Sequence, residues 1–334
     1  MVWLSRRSAV RVAVALASVV VTAACSSAAS GPAHGSNLCP STRGVYVGPA
    51  APDQVAAFER WSGGPVGCVE EFLSSDSWKD ISEPTWWLAR WAADPDKQRH
   101  HLVVSVPLLP DSGADLATGA KGNYNHYFET LAGLLVHHGF RDATIRLGWE
   151  FNARAYPWAV RTNGGANGAG GPADFVEYWR HVVAAMRAVP DSRFTFDWSV
   201  NNGSSLFPPE QAYPGDDVVD VVGIDAYDHV WGPYGAQVTD PARRWESISS
   251  GPNNLNWWAD FARSHGKLIG LSEWGLIRGG HGFGDNPYYI QHMLDWAAAN
   301  RVVYAIYFNA TNSVITSDVF PRAAAVYRSN IVRN

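Results

Sequence analysis

The feature that most constrains the fold is an alternation between apolar β-type runs and amphipathic helical stretches. The helical stretches include "DQVAAFERW", "YFETLAGLLVHH" and "ADFVEYWRHVVAAMRAV". Continuous apolar strands that alternate with helices are typical of a parallel sheet covered by helices on both faces. The apolar runs occupy residues 44–48, 66–72, 101–109, 143–149, 193–200, 218–227, 267–274 and 302–308.

Eight such units in one chain predict an α/β fold, a closed (β/α)8 TIM barrel formed by a single domain over residues 41–334. A doubly wound open sheet is the alternative, but no GxGxxG follows the first run and no GxxxxGK[ST] occurs in the sequence. The glycine-rich segment 163–171, "NGGANGAGG", lacks the lysine of a phosphate-binding loop. We interpret it as a flexible loop between the fourth run and its helix.

The N-terminus has the pattern of a targeting segment. Three arginines precede the apolar run Val12–Val21, and small residues then lead to Cys25. Because this run is too short to span a bilayer, residues 1–24 are predicted to be a secretory signal peptide. Residues 25–40 are rich in Ser, Ala and Gly at their start, which predicts a tether or linker before the barrel.

The stretch "TAAC" resembles the lipobox of bacterial lipoproteins, which implies that Cys25 is lipidated and becomes the first residue. Such a lipid would attach the protein to the outer face of the cell membrane without spanning it. The alternative is cleavage after a small residue and free secretion. Either interpretation predicts an exported protein.

The net charge of the chain indicates which classes of binding partner to expect. The net charge is −5, and removal of the three signal-peptide arginines changes it to −8. A mildly acidic exported domain without a basic run argues against nucleic acid as a partner. No HExxH or similar histidine spacing occurs. We therefore predict no catalytic metal and no cofactor, and we expect a monomer.

Cys25, Cys39 and Cys68 are the only cysteines in the chain. If Cys25 carries a lipid, the other two remain in an oxidising compartment, and a disulfide between Cys39 and Cys68 is the economical prediction. Two unrelated thiols are the alternative.

In a (β/α)8 barrel the chemistry lies at the C-terminal ends of the strands. Glu150, in "GWEF", and Glu273, in "SEWG", stand out there because each is flanked by tryptophan. Charged groups seldom occupy such apolar settings without a task. The other polar residues at predicted strand ends are Asp76, Arg146, Asn152, Asp197, Asn201, Asn202, Asp225, Tyr227, Asp228 and Asn309.

Two carboxyl groups facing each other across a cleft are the machinery of glycoside hydrolysis. Apolar rings beside Glu150 should raise the pKa of its carboxyl, as a proton donor near neutral pH requires. The chain also has 16 Trp and 13 Tyr, and aromatic rings pack on sugar C–H faces. The candidates for sugar contacts near strand ends are Trp149, Tyr156, Trp158, Trp231 and Trp274.

These motifs resemble glycoside hydrolase family 26, the β-mannanase family, within the clan of retaining (β/α)8 glycosidases. The matching motifs are Arg146 four residues before Glu150, "YPW" at 156–158, "GIDAY" with Asp225 and Tyr227, and "SEWG" with Glu273. They occur in the family's order at the corresponding strands, and the resemblance covers nearly the whole exported domain.

The resemblance implies Glu150 as acid/base and Glu273 as nucleophile. Tyr227 would hydrogen-bond the nucleophile, Arg146 and Asp225 would shape the site, and Trp158 would stack on sugar. Asn152 is a further candidate for binding substrate.

The sequence departs from the family pattern at two positions. Trp149 stands where the family usually has His, and "FNATN" follows the eighth run where the family has Trp-Arg. The resemblance therefore implies the reaction type more strongly than it implies mannan.

We predict a retaining endo-β-glycosidase, mannanase-like, acting on a polysaccharide or oligosaccharide. Two alternatives stay open. A transglycosylase of envelope glycan would use the same residues with a different acceptor. A non-catalytic glycan-binding lipoprotein would have no need of the glutamate pair.

Overall fold

The computed structural model describes residues 38–161, 170–203, 205, 207–230, 232 and 235–331. They form a closed barrel of eight parallel strands, in which each strand pairs with its neighbours in sequence and β1 pairs with β8. The predicted (β/α)8 TIM barrel is thereby confirmed. The strands are β1 (Arg43–Tyr46), β2 (Cys68–Phe72), β3 (His101–Val106), β4 (Thr144–Leu147), β5 (Thr195–Asn201), β6 (Val221–Tyr227), β7 (Leu268–Gly275) and β8 (Tyr304–Phe308).

Helices follow most of the strands. The connection between β5 and β6 differs from the expected strand–helix alternation, because its described residues contain only the short 3-10 helix Pro209–Ala212. Two further 3-10 helices span Lys97–Arg99 and Gly235–Gln237. The α-helices are α1 (Pro52–Ser62), α2 (Trp78–Ser82), α3 (Thr85–Ala93), α4 (Leu116–Gly119), α5 (Asn125–His137), α6 (Pro172–Arg187), α7 (Pro241–Ser249), α8 (Leu255–Ser264), α9 (Pro287–Asn300) and α10 (Pro321–Ile331).

Strand β5 illustrates how the sequence divides between the two faces of the barrel wall. Side chains alternate between the faces of a strand. Phe196, Trp198 and Val200 are fully buried in the main apolar cluster, where each stabilises the fold by roughly 1.5–3 kcal/mol. The alternate residues Asp197 and Ser199 point into the barrel and bond to side chains of other strands.

The barrel interior is held together by polar contacts as well as by packing. The carboxylate of buried Asp197 accepts hydrogen bonds from Ser272 Oγ at 2.6 Å and Tyr304 Oη at 2.7 Å. Gly223 lies beside them, and a Cβ there would come within 2.2 Å of both Asp197 Oδ1 and Ser272 Oγ. Glycine is therefore needed at this position for the cross-barrel contact.

The predicted disulfide between Cys39 and Cys68 is confirmed, with a Cα–Cα distance of 5.5 Å. It ties the segment before β1 to the first residue of β2. Leu38 also packs against the smaller apolar cluster that includes these cysteines. The folded part thus reaches back at least to residue 38, before the predicted boundary at 41.

The signal peptide at 1–24 and the lipidation residue Cys25 lie outside the described residues, and both stay predictions. Within the described residues, the helices do not combine the length and apolar character needed to cross a membrane.

Candidate active site

Two glutamates lie at the C-terminal end of the barrel. Glu150 follows β4 and is half-buried, and Glu273 lies within β7 with 7% of its surface exposed. Asp225 on β6 pairs in register with Glu273. A cavity of about 180 Å³, here called the catalytic compartment, opens in front of Glu150. It is lined by Glu150, Asn201, Asn202, Asp225, Tyr227, His229 and Ile277.

The backbone that presents Glu150 is strained. Gly148 and Glu150 both have positive φ, 60° and 49°, a region that glycine adopts freely and a glutamate does not. The Glu150 N–H donates to Ser199 O on β5 at 3.0 Å, which holds the turn in place. Such strain, of order 1–3 kcal/mol, persists where the surroundings over-determine it and often marks a functional position.

The carboxyl of Glu150 is poorly solvated. Burial, followed by the negative charge of Glu273, raises the pKa of Glu150 to about 7. The side-chain amide of Asn201 donates to Glu150 Oε1 and opposes this rise. Glu150 is thus suited to hold a proton near neutral pH and to release it to a bound group.

Asn152 positions Asn201. Its Nδ2 donates to Asn201 O at 2.9 Å, and its Oδ1 accepts from Asn201 N–H at 2.8 Å. Asn152 is only 3% exposed and both its polar atoms bond to Asn201, and its contact with substrate stays a prediction. It acts through Asn201, which in turn contacts Glu150.

Glu273 is held by two donors. Tyr227 Oη donates to Oε2 at 2.6 Å, and Arg146 Nη2 lies 2.6 Å from Oε1. The two contacts engage both carboxyl oxygens and fix the orientation of the side chain. The hydrogen bond from Tyr227 is the one that the family resemblance implied.

Arg146 is the centre of a buried network, and three carboxyl groups contact its guanidinium. Nη1 lies 2.8 Å from Glu70 Oε1, and Nη2 contacts Asp225 as well as Glu273. Ser105 links Glu70 to Arg146 at distances of 2.7 and 2.9 Å. Arg146 and Asp225 are 0% and 1% exposed, and Arg146 contacts both Asp225 and Glu273, so the pair can shape the site as the resemblance implied. Their contact with substrate stays a prediction.

Glu70 is the site residue that sequence reasoning missed. It is fully buried in β2, and burial raises its pKa well above the ordinary value. Its Oε2 has no hydrogen-bond partner within the described part of the chain. The stretch "VGCVEEF" could have indicated a buried acid, because two adjacent acids in an apolar strand face opposite sides and cannot both reach solvent.

Three of the residues predicted to contact sugar are buried, and their contact with sugar stays a prediction. Trp149, Trp158 and Trp274 are 5%, 0% and 1% exposed, so their rings fill the interior and offer almost no surface to a ligand. Trp158 Nε1 donates to Trp149 O at 2.8 Å. Half-buried Tyr156 stacks on Trp158 and lies beside Glu150, so its contact with sugar stays a prediction. Trp231 lies outside the described residues.

Other aromatic side chains border the site. Tyr46, Phe72 and Phe308 end β1, β2 and β8, and each is half-buried. The Tyr46 ring lies 4.8 Å from that of Phe72 and 4.9 Å from that of Phe308. The Phe72 ring lies 5.4 Å from that of Trp149, which continues the row. We call Phe308, Tyr46, Phe72, Trp149 and Tyr156 the aromatic arc.

The described residues contain no group of three or more His, Cys, Asp or Glu side chains that could hold a metal ion. The arrangement presents a carboxyl that can hold a proton near neutral pH beside a second, buried carboxyl held by two donors, at one mouth of the barrel.

Comparison with solved structures finds the same fold in other proteins. The YdhT protein from Bacillus subtilis matches with a TM-score of 0.58 at 13% identity, over 86% of this chain and 84% of that one. Bacillus subtilis mannanase BCman matches with a TM-score of 0.56 at 14% identity, over 84% and 83% of the two chains. The catalytic domain of a GH26 endo-beta-1,4-mannanase from Bacillus sp. JAMB-750 matches with a TM-score of 0.55 at 14% identity, over 81% and 78%.

No protein-family model matches the sequence, and no curated protein is significantly similar to it. At these identities the structural likeness establishes a shared (β/α)8 fold.

Proposed function

We propose that the protein is a retaining β-glycosidase that cleaves a β-linked polysaccharide, with Glu150 as acid/base and Glu273 as nucleophile. The observation that carries the proposal is the unequal environment of the two carboxyls. Burial and the charge of Glu273 raise the pKa of Glu150, whereas Glu273 is held by contacts from Tyr227 Oη and Arg146 Nη2. A carboxyl that retains its proton beside a carboxyl fixed by two donors is the arrangement of the acid and the nucleophile in a retaining glycosidase.

In the first step, a carboxylate oxygen of Glu273 attacks the anomeric carbon, and the bond to the leaving oxygen breaks. The electron pair goes to that oxygen, which takes the proton of Glu150. Arg146 and Tyr227 hold the attacking carboxylate in a fixed orientation. The products of this step are a glycosyl ester on Glu273 and the released sugar chain.

The second step reverses the proton transfer. The ester on Glu273 is neutral, so the charge that raised the pKa of Glu150 is gone and this pKa falls. Glu150, now ionised, takes a proton from water while the water oxygen attacks the anomeric carbon and Glu273 leaves. The anomeric configuration is retained because inversion occurs twice.

For the substrate we propose a mannan-like β-linked polysaccharide attacked internally. The support is the likeness in fold to mannanases, together with the strand-end motifs of the sequence. An envelope-glycan transglycosylase would follow the same first step and differ only in its acceptor, a sugar hydroxyl in place of water. A glycan-binding protein without activity would not need a strained, proton-holding Glu150 beside Glu273.

The test is a screen of polysaccharides, including mannans and the envelope glycans of the source organism, for release of reducing ends. Glu273→Gln keeps the shape of the site and removes the nucleophile, so its activity should be lost. Glu246→Gln, on an exposed position of α7, is the matched control and should keep full activity. Binding without turnover by the wild-type protein would favour the glycan-binding alternative, and transfer products without hydrolysis would favour the transglycosylase.

We also propose that the protein is exported and attached to the membrane through a lipid on Cys25, supported by the sequence pattern alone. Cys25→Ala should release the protein from the membrane fraction into the soluble fraction. Unchanged fractionation would refute the lipid anchor.

A further inference from the structure

A second pocket adjoins the catalytic compartment. It has a volume of about 350 Å³ and shares Asn202 and His229 with that compartment. This volume is at the lower end of the roughly 300–1,000 Å³ typical of ligand sites. The two spaces therefore lie side by side, with Asn202 and His229 contributing to the lining of both.

The wall of this pocket is mainly polar, with Val230, Ile248 and Pro252 as its apolar members. Amide groups come from Asn253 and Asn254, hydroxyl groups from Ser205 and Ser247, and an imidazole from His229. Burial lowers the pKa of His229, which keeps the ring neutral. Among the described residues, those that line the pocket include no acid, lysine or arginine. Amides and hydroxyls both donate and accept hydrogen bonds, so this set suits the hydroxyl groups of an uncharged sugar.

The wall is also fixed by hydrogen bonds behind the lining. Asn254 Nδ2 donates to Ser247 O at 3.0 Å, which joins the start of α8 to α7. Asn253 O accepts from Gly203 N at 2.7 Å and from Trp258 Nε1 at 2.9 Å. These contacts link the end of β5 to the segment between α7 and α8. A wall held in this way loses little freedom when a ligand binds.

The position of the pocket indicates which part of a substrate it takes. Glu150, the proton donor to the leaving oxygen in the proposed function, lines the compartment that adjoins the pocket. The aromatic arc instead runs along the ends of β8, β1, β2 and the segment after β4. The barrel mouth thus has a polar side beyond β5 and β6 and an aromatic side opposite.

We propose that the pocket is a binding site for a neutral sugar unit of the leaving chain, next to the bond that is cleaved. This inference rests on the proposed glycosidase function and adds where the departing part of the substrate is held. The same site would hold an acceptor sugar if the glycosyl ester reacts with a sugar hydroxyl.

The experiment compares two substrates. One is an oligosaccharide cut from the polysaccharide that the wild-type protein degrades, and the other is a dinitrophenyl glycoside with the same glycone. Only the oligosaccharide places a sugar on the leaving side. Ser247→Leu fills the pocket and should lower kcat/KM for the oligosaccharide by roughly tenfold or more relative to the dinitrophenyl glycoside. Asn253→Gly removes a lining amide and should act in the same direction. Since Asn253 has φ of 61°, glycine fits there without backbone strain.

Ser264→Leu is the matched control. Ser247 and Ser264 are both exposed helical serines whose Oγ donates at 2.8 Å to the carbonyl three residues earlier, but Ser264 ends α8, away from the pocket. Its ratio of the two kcat/KM values should equal that of the wild type. Equal losses on both substrates, or no loss, in Ser247→Leu and Asn253→Gly would overturn the proposal. Absence of turnover by the wild-type protein on every substrate would instead refute the glycosidase function on which the proposal rests.

Discussion

Replacement of Glu150 by glutamine should make the protein more stable, and the gain should depend on pH. Burial and the charge of Glu273 raise the pKa of Glu150 from 4.5 to about 7 in the folded protein. Glutamine has the same shape and never ionises. The folded state of the variant therefore avoids the cost of a poorly solvated charge at Glu150.

The size of the effect follows from the two pKa values. The folded state binds the Glu150 proton more tightly than the unfolded state does. The protonated carboxyl therefore stabilises the fold fully below about pH 4.5, and this stabilisation is lost as the pH rises through about 7. A pKa difference of about 2.5 at about 1.4 kcal/mol per unit corresponds to a full loss of about 3.5 kcal/mol, and slightly less of it falls above pH 4.5 because the unfolded carboxyl is already half ionised there. Between about pH 4.5 and pH 8, the wild-type protein should lose about 3 kcal/mol that Glu150→Gln retains.

The assay is urea unfolding of both proteins at the two pH values, with the free energy of unfolding compared by difference. Other buried acids, such as Glu71 with a pKa raised to about 7 by burial, contribute equally to both proteins and cancel. Glu246→Gln, at an exposed site, is the control and should show no pH-dependent difference from wild type. A stability difference between Glu150→Gln and wild type that stays constant with pH would refute the assigned environment of Glu150.

The remaining predictions concern mechanism and stability. Glu273→Ala should abolish turnover on every substrate. Glu150→Ala should keep more activity on an aryl glycoside with a good leaving group, and azide should restore the second step of this variant. Full activity in Glu273→Ala, measured by product release, would contradict both roles. Serine at Cys39 and Cys68 should lower the free energy of unfolding by about 3–4 kcal/mol in the chain-entropy model, because their separation of 29 residues closes a loop of this size; an unchanged urea midpoint would contradict it. Glu70→Gln should change the free energy of unfolding by less than about 1 kcal/mol in urea unfolding, because glutamine has the shape of the protonated acid.

Much of the fold could be predicted from the sequence because strand and helix periods are local properties. All eight apolar runs became strands of one closed barrel, and both tryptophan-flanked glutamates lie at its C-terminal end. Glu150 and Glu273 were identifiable because each acid breaks an apolar run near the end of a strand. The pairing of Cys39 with Cys68 was predictable by elimination.

The orientation of aromatic rings could not be predicted in the same way. Trp149, Trp158 and Trp274 lie next to strand ends in sequence, yet their rings turn inward and pack. Whether a ring at a strand end faces a ligand or a neighbouring helix depends on the packing partners, which no local pattern encodes. Tyr46 and Phe308, whose rings are half-buried, have no acid or recognisable motif next to them in the sequence, so the sequence did not indicate a role for them.

Glu70 and Glu71 show the same limit for charges. Adjacent residues of a strand face opposite sides. Glu70 points into the barrel and contacts Arg146. Glu71 points to the helix side, where it accepts hydrogen bonds from the indole N–H groups of Trp87 at 2.6 Å and Trp91 at 2.8 Å. The sequence contains both acids, but only the register of β2 decides which one joins the site.

The charge of Glu70 determines how strongly Arg146 attracts the carboxyl of Glu273. One guanidinium contacts Glu70, Asp225 and Glu273, and burial raises the pKa of Glu70 well above its ordinary value, against the opposing effect of Arg146. A neutral Glu70 leaves more of the positive charge for Glu273. Glutamine mimics this neutral acid, since its oxygen can still accept from Arg146 and Ser105, and hence the small change expected for Glu70→Gln. If Glu70 were ionised, the same substitution would break a buried ion pair and cost about 3–5 kcal/mol, so urea unfolding at about pH 7 separates the two states.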